Sequence, residues 1–140
     1  MIAKSAEETK KFAKDLLKNL AIKHILALYG DLGSGKTTFV QGLAEGLGIK
    51  KRVLSPTFVF QRSYELNKGS LKKFHHIDLY RLSTLKDAKA IGVDETLAEK
   101  DSLIAIEWPE VIENTLPKET VRIRFKKING GEREITVENP

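Results

Sequence analysis

An α/β fold, with a mostly parallel central sheet, antiparallel edge strands and a C-terminal β-hairpin, is what this sequence predicts, and three observations predict it. Two short runs, Ile25-Leu26-Ala27-Leu28-Tyr29 and Leu103-Ile104-Ala105-Ile106, are apolar throughout, as in parallel strands covered on both faces. Segments with helical spacing flank the first of them. From Val121 onward, apolar and polar residues alternate with period two on either side of a glycine turn, the pattern of strands with one face buried. Helices mixed with both kinds of strand pack as layers around a sheet.

The chain opens with Ser5 followed by Glu8, the spacing of a capping box. Phe12, Leu16 and Leu20 then recur with Ala13 and Leu17 beside them, predicting an amphipathic helix of about four turns. Ile25–Tyr29 is a buried strand ending at Gly30. A second helix is expected from Lys36 to Leu47, with Gly48 placed to end it. Pro56 interrupts the next stretch, and Phe58, Phe60 and the residues towards Tyr64 indicate a strand after it. Asn67-Lys68-Gly69-Ser70 is a turn signal that returns the chain as a strand over Leu71–Asp78. Thr84–Lys100 is polar and weakly helical, broken at Gly92. Leu103–Ile106 is a second buried strand, ending at Glu107. Val121, Ile123 and Phe125, the turn Asn129-Gly130-Gly131, and then Ile135 and Val137 form a hairpin. No repeat, low-complexity tract or linker interrupts this order, so residues 1–140 are read as one domain.

Composition narrows the function classes. With 41% hydrophobic residues the chain can build a core, and with no cysteine it has neither disulfides, thiol catalysis nor cysteine-ligated metal centres. Three scattered histidines do not make a zinc site. Met1–Lys11 lacks the apolar stretch of a secretory signal and no segment is apolar enough to span a bilayer. A soluble cytoplasmic chain without membrane contact is the expectation. The net charge of +5 permits anionic ligands without naming one.

Gly30-Asp31-Leu32-Gly33-Ser34-Gly35-Lys36-Thr37 matches G-x-x-x-x-G-K-[ST] in full, between an apolar strand and a helix. The glycines let the backbone turn its N–H groups inward as a nest for phosphate oxygens. Lys36 reaches the β- and γ-phosphates, Thr37 offers a hydroxyl to magnesium, and the helix N-terminus adds partial positive charge. Hydrolysis also needs acids near the metal and the water. Glu107 directly follows the apolar run Leu103–Ile106 and Asp78 follows Phe74–Ile77, each where a strand should end and ligands of parallel sheets bind. Glu107 has the pattern of a Walker B acid, although aspartate is more usual there. His76 reads as a core or hydrogen-bonding histidine.

The GTPase elements D-x-x-G and N-K-x-D are missing from the sequence, which favours ATP over GTP. None of the six arginines lies in a lid segment of the kind a small-molecule kinase uses to exclude water. That favours a switch-like ATPase over a kinase, with a nucleotide-gated binding module as the reading from another class.

Gly30–Thr38, Ser55-Pro56-Thr57-Phe58, His76-Ile77-Asp78-Leu79-Tyr80-Arg81-Leu82 and Ile106-Glu107-Trp108-Pro109-Glu110 occur in this order. Together they closely resemble the TsaE (YjeE) family, the ATPase component of bacterial tRNA threonylcarbamoyladenosine synthesis. The resemblance runs from the first helix to the final hairpin. It implies a three-layer P-loop NTPase-like fold, and slow ATP hydrolysis coupled to the TsaD–TsaB pair, which modifies the tRNA adenosine next to the anticodon. It further implies that Gly30–Thr38 cradle ATP, that Lys36 and Thr37 bind phosphate and magnesium, and that Asp78 and Glu107 serve metal and water. Thr57, otherwise an ordinary loop threonine, becomes a switch residue sensing the γ-phosphate. Trp108, the sole tryptophan, reads alone as a core or strand-end aromatic and beside Glu107 as a reporter of nucleotide state. Arg81 is either a phosphate contact or a solvated turn arginine.

Arg122, Arg124 and Lys126 alternate with Val121, Ile123 and Phe125, giving that strand one apolar and one basic face. A solvated sheet face is the simpler reading of the basic side. A docking strip for the partner complex or the tRNA backbone is the sharper one.

Overall fold

The structure, a computed structural model, describes residues 1–19, 24–50 and 60–139. Its sheet has seven strands: β1 (Ile2–Ala3), β2 (Ile25–Tyr29), β3 (Gln61–Lys68), β4 (Leu71–Asp78), β5 (Ser102–Glu107), β6 (Val121–Lys127) and β7 (Arg133–Glu138). The spatial order is β1-β7-β6-β2-β5-β4-β3. The central strands β6, β2, β5 and β4 run parallel, while β3, β7 and β1 add to the edges antiparallel. β2 and β5 are buried at every position, which is why they read as unbroken apolar runs.

Helices α1 (Ala6–Leu17) and α2 (Lys36–Gly46) cover one face, packing Phe39, Val40 and Leu43 on Leu26, Leu28, Ile123 and Phe125. Short helices α3 (Leu85–Ala90) and α4 (Val93–Leu97) and a 3-10 segment, Pro109–Thr115, cover the other, around Ile77, Ile104, Ile106 and Ile112. The three layers arise from these two cores.

The local signals act largely as expected. The Ser5 hydroxyl accepts the Glu8 N–H at 3.2 Å, while the Glu8 carboxylate reaches back to the Lys4 N–H at 3.0 Å, one residue before the cap. α1 ends at Leu17, earlier than the four turns expected, and Leu20 lies outside the described residues. α2 closes in a Schellman motif: Gly48 N–H donates to Glu45 O at 3.1 Å and Ile49 N–H to Ala44 O at 2.9 Å, with Gly48 at φ +80. β3 starts at Gln61, and its turn into β4 narrows to Gly69-Ser70, since Lys68 and Leu71 are register partners. Gly92, at φ +87, separates α3 from α4.

Two elements carried no local signal. β1 exists through its antiparallel pairing with β7, with Ile135 N–H donating to Met1 O at 2.8 Å. The 3-10 segment begins after Trp108, which adopts a left-handed φ of +57. Among the described residues no helix is long and apolar enough to cross a membrane.

Candidate functional site

The carboxyl ends of β2, β5 and β4 lie side by side, so Gly30, Glu107 and Asp78 come together although far apart in the chain. Side-chain alternation does the rest. His76, Asp78 and Glu107 share the sheet face of Phe74, Leu103 and Ala105, which α2 covers. α2 starts at Lys36, behind Gly35 at φ +106, a backbone conformation open to glycine at little cost. The helix therefore delivers Lys36 and Thr37 directly over the strand-end acids.

The contacts are close. Thr37 Oγ1 donates to Glu107, 3.2 Å from each carboxylate oxygen. His76 Nε2 lies 2.5 Å from Glu107 Oε2, and both side chains are buried. Asp78 is the register partner of Glu107, and its Oδ1 accepts the Tyr80 N–H at 2.9 Å. Lys36, only 4% exposed, donates to Gly30 O and stands 3.6 Å from the centre of the Trp108 ring, which packs on Tyr80. Burial lowers the Lys36 pKa, while the carboxylates of Glu107, Glu110, Asp78 and Asp31 pull it back up. Its cation thus rests against a carbonyl and an aromatic face, neither of which carries a full negative charge.

These groups border a cavity of about 320 Å³ lined by Leu32, Gly33, Gly35, Lys36, Thr37 and Thr38 on the loop side and Asp78 and Glu107 on the sheet side, with Tyr80, Trp108 and Arg133 at its margins. Gly30, Asp31 and Ser34 shape the loop without lining the cavity; Asp31 is exposed and Ser34 buried. Thr57 and the rest of Ser55–Phe58 lie outside the described residues. Arg81 is exposed and does not line the cavity.

A family model described as threonylcarbamoyl adenosine biosynthesis protein TsaE matches residues 3–135. The chain belongs to the TsaE family. It is 40% identical over 129 residues to the tRNA threonylcarbamoyladenosine biosynthesis protein TsaE of Borreliella burgdorferi, covering 91% of each chain. Identity to the protein of that name from Bacillus subtilis is 42% over 130 residues, 93% of this chain and 78% of the relative. For Treponema pallidum it is 38% over 136 residues, 97% of both. The crystal structure of Bacillus subtilis YdiB matches with a TM-score of 0.76 at 37% identity, covering 99% of this chain and 83% of that one.

Three of the four segments through which the sequence resembles the TsaE family therefore meet in one cavity: the loop Gly30–Thr38, the β4 end with Asp78 and Tyr80, and the β5 end with Glu107 and Trp108. Among the described residues of this TsaE-family site, His76, Tyr80 and Arg133 were given no part in it from sequence. His76 had a usable signal, since it lies two positions before Asp78 and so on the same strand face. Arg133 had none, because it reaches the cavity from β7 at the far end of the chain.

The basic strip of β6 is largely neutralised. Arg122 binds Glu113 through Nε at 3.1 Å and Nη2 at 2.6 Å, and the same carboxylate accepts the Tyr29 hydroxyl. Burial alone would raise the Glu113 pKa; the hydrogen bonds from Tyr29 and Arg122 outweigh it and hold it below the usual value. Tyr29 is raised correspondingly, by burial and then by its bond to Glu113. Arg124 pairs with Glu138 at 2.9 Å and lies over the Tyr29 ring. Internal pairing of this kind favours the solvated-face reading over a docking strip.

Proposed function

We propose that this TsaE-family chain, read as a single domain over residues 1–140, binds ATP with magnesium at Gly30–Thr38 and hydrolyses it in the cytoplasm. In this reading it acts with the TsaD–TsaB pair in threonylcarbamoyl modification of tRNA. The observation that carries the reading is the contact of Thr37 with Glu107 beneath the phosphate-type loop, at the joined carboxyl ends of parallel strands.

The residues fit both groups. Lys36 is buried, and its ammonium contacts a carbonyl and a π face, so a phosphate oxygen would supply a directly bound anion. Among the described residues no group of three or more His, Cys, Asp and Glu could hold a metal unaided. Magnesium at nucleotide sites uses one or two carboxylates together with phosphate and water, and Thr37, Glu107 and Asp78 offer the hard oxygen donors for that. When bound, magnesium neutralises charge on the phosphate oxygens.

The chain's own side chains then have distinct tasks. Lys36 leaves Gly30 O and binds the β- and γ-phosphates. Glu107, touching Thr37, is supported as the carboxylate on the metal side, and Asp78 orients the water that attacks the γ-phosphorus in line. The bond to the β-phosphate oxygen breaks as the new P–O bond forms, giving ADP and inorganic phosphate. Thr57 closes over the γ-phosphate, a role supported by resemblance alone.

Phosphate release from ATP by the purified chain, with and without TsaD–TsaB and with a Lys36→Ala control, tests the reading. Stimulation by the partners that the control abolishes is the expected result. Nucleotide binding without release, stimulated or not, would leave a nucleotide-gated binding module instead.

A further inference from the structure

The hairpin of β6 and β7 turns its apolar stripe, Val121, Ile123, Phe125 and Ile135, towards α1 and α2. Period-two alternation puts Lys127 and Arg133 on that same face, and the two are register partners at the hairpin tip. β6 pairs with β2 only as far as Tyr29 and Arg124. Its last residues therefore run past the strand and alongside the phosphate loop. At the point where the apolar stripe reaches the loop, it becomes cationic.

The loop accommodates this approach through its glycines. A Cβ on Gly30 would sit 2.7 Å from Phe125 O, one on Gly33 3.1 Å from Lys127 Nζ, and one on Gly35 3.7 Å from Arg133 Nε. Arg133 also lines the cavity. Its Nη1 is anchored by the Gly131 and Glu132 carbonyls at 2.9 and 3.3 Å, and its backbone is held from the other side by register pairing with Ala3.

Charge pairing sets these two cations apart from their neighbours. Arg122 and Arg124, on the opposite face, have carboxylate partners in Glu113 and Glu138. Among the described residues, Lys127 and Arg133 have none. The acids Asp78 and Glu107 bound the cavity on the β4–β5 side of β2, and Lys127 and Arg133 stand on the β6–β7 side. A cavity with carboxylates on one wall and the unneutralised Arg133 on the other, with Lys127 behind it against Gly33, matches an anionic chain that carries a metal on one flank.

We propose that Arg133, assisted by Lys127, binds the phosphate chain of the nucleotide from outside the loop motif, as a second cationic wall opposite the metal-side acids. This rests on the nucleotide reading above and names the residues that complete its phosphate site.

Calorimetric titration of the full chain with ADP, ATP and inorganic pyrophosphate, each with magnesium, tests it. Arg133→Gln keeps most of the aliphatic stem, and its melting without nucleotide checks the fold. It is expected to weaken all three ligands about tenfold, as loss of a charge-assisted hydrogen bond does, while Arg133→Lys retains most of the affinity. Lys127→Ala is expected to cost about threefold, in the range of a solvent-screened charge, and Lys126→Ala, which faces away from the loop, less than twofold. Nucleotide affinity of Arg133→Gln within twofold of the parent would overturn the proposal. So would a loss for ADP and ATP with pyrophosphate unaffected, which would move the contact to the base or ribose. A parent chain that binds no nucleotide would instead remove the underlying nucleotide reading, and this proposal with it.

Discussion

Glu107 is held from two sides, by the Thr37 hydroxyl at 3.2 Å and the His76 ring at 2.5 Å. A buried carboxylate stripped of one hydrogen-bond partner is free to rotate, so on the nucleotide reading His76 should matter for turnover although it does not line the cavity. If Glu107 serves the metal as proposed, His76→Leu is expected to lower ATP turnover about 10- to 100-fold, as loss of an outer contact to a metal ligand does. His76→Gln, which can place an N–H near the Nε2 position, should recover part of it. Equal loss in both variants would mean that the ring merely fills space. Glu113 supports a second prediction at this scale. Its pKa lies below the unfolded value, so its stabilisation is present above the unfolded carboxylate pKa, about 4.3, and is lost as pH falls through the folded value. Glu113→Gln should therefore cost about 1 kcal/mol or less at neutral pH, the pair with Arg122 being partly solvent-screened, and should flatten the acid limb of a stability-versus-pH curve. An unchanged acid limb would exclude Glu113 as a contributor.

Among the elements, the packing of α1 on α2 decides how firmly the loop's helix is seated. Gly42 faces α1 so closely that an added Cβ would meet Lys10 Cα at 2.6 Å, Lys10 O at 2.7 Å and Ala13 Cβ at 2.9 Å. Alanine is worth about 1 kcal/mol over glycine in a helix interior by propensity. Overpacking a close contact costs about 1–3 kcal/mol, and the atoms in the way are mostly backbone, which cannot turn aside. Gly42→Ala is thus expected to destabilise the chain by up to about 2 kcal/mol in a denaturant melt, the overpacking cost less the propensity gain. A gain in stability would show that α1 can shift away. Since α2 carries Lys36 and Thr37, the same variant should weaken nucleotide binding as the helices separate.

For the molecule as a whole, the site is a junction of three strand ends and a helix start, so occupancy and folding are linked. A ligand at one hundred times its Kd stabilises the folded state by about 2.7 kcal/mol. ATP with magnesium should raise the Tm in proportion, and chelation of the magnesium should remove much of that rise. Absence of any shift at saturating ATP would count against the nucleotide reading itself. The sheet order explains why so distributed a set of residues can respond together. β2 lies between β6 and β5, so the cationic hairpin and the acidic strand ends both abut the strand that carries the loop.

Much of this was legible from sequence because it is local. The apolar runs of β2 and β5, the loop with its helix, and the alternation of the final hairpin each depend on residues a few positions apart, where side-chain periodicity and glycine conformation act. The acids Asp78 and Glu107 were legible for the same reason, as acidic residues at expected strand ends. What the tertiary structure alone decided was pairing across the chain: His76 against Glu107, Glu113 against Tyr29 and Arg122, β1 against β7, and Arg133 against the Gly30–Thr37 loop. Those contacts depend on strand order, and a local pattern says which face a side chain takes but not which distant residue will stand opposite it.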